Sequence, residues 1–175
     1  NDLLLGGAGN DQLYASAGND VLVGHTGDDK LYAISGNNIL IGGAGRDELV
    51  GAAGDDLLIG GSTSFDLDPT SLQSLRLLWS SNASYLDRIA TIEAEENGIH
   101  LESGHTVVDD KIADDLFGGA GQDWFFLTGI LPVYSPLHDV HPSSDTGHHE
   151  VMVTHSLPEL EGFGLISALD TLRDL

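Results

Sequence analysis

Cysteine is absent from these 175 residues, which removes disulfides, thiol catalysis and any soft-metal site built on thiolates. Positive charge is scarce: six Lys and Arg oppose 28 Asp and Glu, for a formal net charge of −22. Such an excess argues against nucleic acid or an anionic membrane as partner and for dependence on cations. No apolar run approaches the ~20 residues a membrane span needs, and no cleavable signal sequence is visible at the start. Neither H-E-x-x-H nor G-x-S-x-G occurs, and no nucleophile stands beside a base, so the chain carries no catalytic motif of its own. An initiator Met is also missing. Asn1-Asp2-Leu3-Leu4-Leu5 opens in the middle of a repeating unit, from which the chain is expected to be part of a longer protein with domains upstream.

What is present is a period. Leucine falls at every ninth residue, at Leu4, Leu13, Leu22, Leu31, Leu40, Leu49 and Leu58, and a glycine-rich turn ending in a carboxylate separates each pair. The cleanest units are Gly6-Gly7-Ala8-Gly9-Asn10-Asp11-Gln12-Leu13-Tyr14 and Gly42-Gly43-Ala44-Gly45-Arg46-Asp47-Glu48-Leu49-Val50. Both follow G-G-x-G-x-D-x-U-x, with U large and apolar, a repeat signature of calcium-binding parallel β-helices. Each unit divides into a six-residue turn and a three-residue strand such as Val21-Leu22-Val23 or Ile39-Leu40-Ile41. Side chains alternate along a strand, so the central leucine faces one way and its neighbours the other. A coil of two units, eighteen residues, would stack leucines from both sides into one inner column. No unit can bury that column alone, and stability requires stacked neighbours.

The sixth position of the unit carries the chemistry. It is Asp2, Asp11, Asp20, Asp29, Asn38, Asp47 and Asp56. In a two-unit coil Asp2, Asp20, Asn38 and Asp56 line one edge, and Asp11, Asp29 and Asp47 the other. Carboxylates stacked at ~4.8 Å repel strongly unless a cation lies between them. Ca²⁺ suits the gap, because it accepts six to eight oxygens in flexible geometry from carboxylates and backbone carbonyls alike; magnesium demands a stricter octahedron. A lone G-x-G-x-D would be ordinary turn chemistry, but tandem copies in register point to metal.

On these motifs the chain resembles the RTX (repeats-in-toxin) family, closely over residues 1–61 and again over 113–126. The resemblance implies an all-β solenoid, a right-handed parallel β-roll with Ca²⁺ between successive turns. It also implies which groups hold the ions: the sixth-position side chains already named, with Asp114 and Asp123, and carbonyls of the turn glycines Gly7, Gly9, Gly18, Gly27, Gly36, Gly43, Gly45, Gly54, Gly119 and Gly121. About four to six Ca²⁺ ions are expected on this basis. The resemblance further implies a secreted, extracellular or cell-surface bacterial protein. Such a chain would leave the cell unfolded, by a type I secretion apparatus, and fold outside. Three roles stay open: a calcium-responsive structural module, the C-terminal domain of an extracellular enzyme whose catalytic domain lies upstream, or a spacer in a surface adhesin.

Some units depart from the pattern. Ala15-Ser16 and Ala33-Ile34 replace the first two glycines, and Gly24-His25 and Gly51-Ala52 the second alone. Asn38 leaves a neutral ligand between Asp20 and Asp56, which predicts weaker sites there, since ligand charge tunes affinity. The best pair is Asp29 with Asp47.

The repeats are expected over residues 1–66, with a helical insertion over 67–105, a resumed repeat over 106–126 and a tail over 127–175 that is disordered in part. Asp68-Pro69 is a helix start, an N-cap followed by proline at the first helical position. Leu72, Leu75, Leu78 and Trp79 form its apolar stripe. A second helix begins at Ser84 and ends near Asn97-Gly98. The pair is predicted to cap one end of the roll and shield its open edge. Thr106-Val107-Val108 reads as a strand, and Gly118-Gly119-Ala120-Gly121-Gln122-Asp123-Trp124-Phe125-Phe126 as a full unit, with Asp109 and Asp110 as lesser ligands. The tail holds His138, His141, His148, His149 and His155. Zinc binding by His138, His141, His148, His149 and Glu150 fits no spacing of known mechanism, which favours a solvated segment. Leu165, Ile166, Leu169 and Leu172 suggest a short terminal helix that could belong to a secretion signal.

Overall fold

The computed structural model describes residues 1–94 and 98–127 and the backbone of 150–153. The histidine cluster and the terminal helix of the tail lie outside the described residues. The chain winds as a parallel β-solenoid of about three turns. Its two walls are built alternately by β1 (Leu3–Ala8), β2 (Gln12–Tyr14), β3 (Val21–Thr26), β4 (Lys30–Tyr32), β5 (Ile39–Ala44), β6 (Glu48–Ala53) and β7 (Leu57–Ile59). After β7 come the short β8 (Ser62–Thr63), helices α1 (Pro69–Trp79) and α2 (Tyr85–Glu93), and β9 (Val107–Val108). The solenoid then resumes with β10 (Asp115–Ala120) and β11 (Trp124–Leu127), and β12 (Glu150–Val153) pairs beyond it. One wall has the order β1-β3-β5-β7-β11-β12, the other β10-β6-β4-β2.

Register follows the period. Leu4, Leu22, Leu40, Leu58 and Phe125 are aligned across the first wall, and Leu13, Leu31, Leu49 and Leu116 across the second. From Leu22 and Leu31 onward these inward side chains are buried, with Ala15 and Ala33, in one narrow core; Leu4 and Leu13 at the first coil are partly buried. Position 8 of each unit thus forms the column that no single unit could bury.

The helices do not cap an end. They lie on the outer face of the first wall, where Val21, Val23, Ile39, Ile41, Leu57, Ile59, Trp124 and Phe126 form a second core with Leu72, Leu75, Trp79, Tyr85, Ile89 and Ile92. That wall is buried on both faces, which is why its triplets are wholly apolar, as expected of covered parallel strands. The outer face of the second wall is polar and partly wet, with Gln12, Lys30 and Glu48 in register. At the first coil Leu3 and Leu5 remain 40% and 44% exposed.

Local signals set the helix starts. Asp68 accepts from the Thr70 N–H at 3.0 Å, with Pro69 at the first helical position, and Ser84 caps α2 through the Asp87 N–H at 3.3 Å. α2 ends at Glu93 with Ala94 as its cap, earlier than the Asn97-Gly98 stop read from the sequence. The Val107–Val108 strand pairs antiparallel with Ser62–Thr63, so it closes the base of the insert instead of adding a coil. Among the described residues no helix is long and apolar enough to cross a membrane.

Candidate metal sites

From Asp20 onward each sixth-position side chain sits in a turn and uses one oxygen to bond the coil before it. Oδ1 of Asp20 accepts from the Asp2 N–H at 2.6 Å, Asp29 from Asp11 at 2.7 Å, and Asn38 from Asp20 at 2.9 Å. Asp47 accepts from Asp29, and Asp56 from Asn38, both at 2.8 Å. The files continue across the insert: Asp114 accepts from Asp47 at 2.9 Å and Asp123 from Asp56 at 2.8 Å, although the sequence separation jumps from 18 residues to 67. Asp11, Asp29, Asp47 and Asp114 therefore share one edge. Asp2, Asp20, Asn38, Asp56 and Asp123 share the other.

The second oxygen is the unusual one. Oδ2 of Asp11, Asp20, Asp29, Asp47 and Asp56 is buried and accepts no hydrogen bond. A buried polar atom without a partner costs about 1–3 kcal/mol, more when charged. Its surroundings are defined by the first glycine of each unit. A β-carbon built on Gly6 would meet Asp11 Oδ2 at 2.9 Å and the Gly24 carbonyl oxygen at 2.8 Å. One on Gly24 would meet Asp29 Oδ2, with Gly42 O at 2.5 Å, and one on Gly42 would meet Asp47 Oδ2, with Gly60 O at 2.6 Å. Carboxylate oxygen and carbonyl oxygen thus converge on one small space, with no donor between them. Only glycine leaves that space open.

The second edge is uneven. Gly51 and Gly118 keep the space beside Asp56 and Asp123 open, whereas Ala15 and Ala33 are buried and place a methyl at the equivalent positions. At Asn38 the Nδ2 group stands where an aspartate has Oδ2. It donates to the Gly36 carbonyl at 2.8 Å and to Asp56 Oδ1 at 3.0 Å. Asn38 therefore shows what this atom faces: acceptors, which an amide satisfies with its own hydrogens and a carboxylate can satisfy only through a cation.

The glycines at the second and fourth positions have another duty. Gly7, Gly43 and Gly119, and Gly9, Gly18, Gly27, Gly36, Gly45, Gly54 and Gly121, all have positive φ, between 98° and 142°. A β-carbon on Gly27, Gly45 or Gly54 would strike the carbonyl of the glycine one coil earlier, Gly9, Gly27 or Gly36. His25 (φ 79°) and Ala52 (φ 74°) adopt the left-handed conformation without being glycine, at a cost of roughly 1–2 kcal/mol each. The first-position glycines Gly6, Gly24, Gly42 and Gly51, which the sequence reading passed over as ligand neighbours, are the ones that frame the unpartnered Oδ2 atoms of Asp11, Asp29, Asp47 and Asp56, and Gly60 and Gly118 stand likewise beside Oδ2 of Asp114 and Asp123. A signal was there: where His25 and Ala52 replace the second glycine, the first is retained.

Burial raises the carboxyl pKa values of Asp29, Asp47 and Asp56. Desolvation pushes Asp56 up to about 9, with the neighbouring Asp123 carboxylate adding to it, and Asp47 up to about 6; Asp29 is raised for the same first reason. A cation would relieve the same strain without a proton. The donors available are hard oxygens, carboxylate and carbonyl, and they fit Ca²⁺. Among the described residues no three His, Cys, Asp or Glu side chains converge on one metal position, so backbone carbonyls must supply much of any coordination shell.

The comparison with known families agrees with this donor set. The RTX calcium-binding nonapeptide repeat (4 copies) matches residues 1–31, 32–63 and 113–127. No curated protein and no solved structure gives a significant match. These three segments are RTX calcium-binding repeats, and the repeats bind calcium.

Proposed function

We propose that this chain is a calcium-triggered folding module of a secreted bacterial protein, in which ions lodged between stacked turns convert an unfolded acidic chain into the β-roll. The reading rests on the buried Oδ2 atoms of Asp11, Asp29 and Asp47, which lie beside a carbonyl oxygen and lack a donor, and on that of Asp56, which is buried without a hydrogen bond. Without calcium, those desolvated charges and the conformational entropy of 23 glycines oppose folding. With calcium, binding free energy becomes folding free energy, as at structural metals generally. Extracellular calcium modules have Kd values on the order of 10⁻⁴ to 10⁻³ M. At tenfold excess over Kd each ion contributes about 1.4 kcal/mol, so four contribute about 6 kcal/mol, comparable with the whole stability of a small domain.

The open first-edge turns and the Asp56–Asp123 turn are the strongest sites, and those plugged by Ala15, Ala33 and Asn38 the weakest. About four to six ions in all would fit this order. Secretion follows from the same physics, because the chain stays unfolded where free calcium is low and folds where it is high, and repeats of this family are typical of secreted bacterial proteins. Far-UV circular dichroism of the full chain in EDTA and in millimolar Ca²⁺ tests this. A disordered spectrum that converts to β-structure on adding calcium is expected, and spectra that coincide would overturn the proposal.

A further inference from the structure

The last first-edge turn is broken in sequence and whole in space. The earlier turns draw their first glycine and sixth-position aspartate from one nonapeptide: Gly6 and Asp11, Gly24 and Asp29, Gly42 and Asp47. At the next level the chain leaves after Gly60-Gly61, passes through the helical pair and returns at Asp114. Even so, a β-carbon on Gly60 would meet Asp114 Oδ2, the closure seen in the unbroken turns. Gly43 N–H reaches the carbonyls of both Gly60 and Gly61 at 3.1 Å. In the unbroken turns the fourth-position N–H donates to a carbonyl of the following coil, as Gly9 does to Thr26 and Gly27 to Ala44, each at 2.8 Å. Here Gly45 N–H donates instead to Asp110 Oδ2 at 2.7 Å. An independent observation points to a ligand: Asp47 is 1% exposed, its Oδ2 accepts no hydrogen bond, and it converges with the Gly60 carbonyl beside Gly42.

We propose that Asp47, Asp114 and the Gly60 carbonyl hold a calcium ion in a split site, with the Asp110 carboxylate adding charge at its rim, and that this ion staples both ends of the insert to the roll. The proposal rests on the calcium reading above and adds a site that none of the three matched repeat segments contains by itself. It also gives the insert a calcium-dependent base. Just before the return strand, Lys111 (φ 67°) is exposed in a tight turn whose amides are bound by Asp109 and Asp110: Lys111 N–H donates to Asp109 Oδ1 at 2.6 Å and Ile112 N–H to Asp110 Oδ1 at 2.9 Å. When the ion leaves, this turn is released and the Lys111 bond opens to protease.

The test uses the full chain and two readouts, calcium stoichiometry by calorimetry and the rate of tryptic cleavage after Lys111. In Asp114→Asn the carboxamide keeps an Oδ1 acceptor for the Asp47 N–H, as Asn38 does for Asp20, so the roll can still form. The parent chain should cleave more slowly by about tenfold when calcium is raised to about ten times Kd. Asp114→Asn should bind one ion fewer and lose that protection. Asp29→Asn, within unbroken turns, should lose an ion but keep the protection at Lys111, and Asp68→Asn, at the exposed cap of α1, should change neither. If the parent takes up no calcium, the calcium reading fails and the split site falls with it. If the parent and Asp29→Asn behave as stated while Asp114→Asn keeps both its ion count and its protection, the split site alone is overturned.

Discussion

The two oxygens of a sixth-position aspartate have different tasks. Oδ1 ties its turn to the backbone of the coil before it, and an asparagine can do this equally well, as Asn38 does at 2.9 Å from the Asp20 amide. Oδ2 faces acceptors, and there the two residues diverge, one bringing its own hydrogens and the other requiring a cation. The first-position residue decides whether the space is open: glycine at Gly24 and Gly42, alanine at Ala15 and Ala33. The double substitution Ala33→Gly with Asn38→Asp should therefore restore the weak second-edge position and raise the number of bound ions by one in a calorimetric titration. An unchanged count would show that the methyl and the amide are not what limits that edge. The reverse change, Gly42→Ala, should remove an ion, because the new methyl would sit against both Asp47 Oδ2 and the Gly60 carbonyl.

Among the elements, the helical insert is the least expected in its position. It is anchored on the second-edge turns by polar contacts as well as by the shared core. Trp79 Nε1–H donates to the Asp55 carbonyl at 2.7 Å, and Tyr85 O–H to the Asp123 carbonyl at 3.0 Å. Arg88, 3% exposed, pairs with the Asp55 carboxylate, donates to the Trp79 carbonyl at 2.8 Å and stacks over the Trp79 ring at 4.7 Å. Asp55 also accepts from the Gln122 N–H at 2.9 Å, so one carboxylate joins the insert to the resumed repeat. Removing one member of a buried ion pair costs about 3–5 kcal/mol; because Asp55 is partly exposed, the lower end applies. Arg88→Met should lower the stability of the calcium-loaded chain by about 3 kcal/mol in a urea melt. A loss within ~0.5 kcal/mol, the range of an ordinary surface change, would mean that apolar packing alone holds the helices.

For the whole molecule, the buried carboxylates link folding to pH when calcium is absent. Asp47 rises to about 6 and Asp56 to about 9 in the folded roll, both by burial first, against a reference of 3.8. The folded state thus holds more protons than the unfolded one. The associated stability is complete below the unfolded value and disappears as pH climbs through the folded values. The calcium-free chain should accordingly show more β-structure by far-UV circular dichroism at pH 5 than at pH 8, where it is expected to be disordered, and calcium should bind more weakly at pH 5 because protons compete for the same oxygens. A metal-free β-signal that is the same at both pH values, or greater at pH 8, would contradict the assignment of these carboxyls as desolvated.

The nonapeptide period by itself determined the coil, the register and the two files of aspartates. Those features depend on local spacing: leucine must return every second unit to the same side of a two-unit coil, and glycine must stand where φ is positive. The caps at Asp68 and Ser84 were legible for the same reason, since a cap is an interaction among near neighbours in the chain. The apolar triplets of the first wall (Val21-Leu22-Val23, Ile39-Leu40-Ile41) also differ from the mixed ones of the second (Lys30-Leu31-Tyr32, Glu48-Leu49-Val50), a difference that marks which wall is covered. What covers it was decided only by the tertiary structure, as were the joining of Gly60 to Asp114 and the placement of Arg88 against Asp55. These are encounters between segments far apart in the chain. They arise from burying the second face of a sheet and closing one turn around an insert, and no local pattern of residues encodes which distant partner will do so.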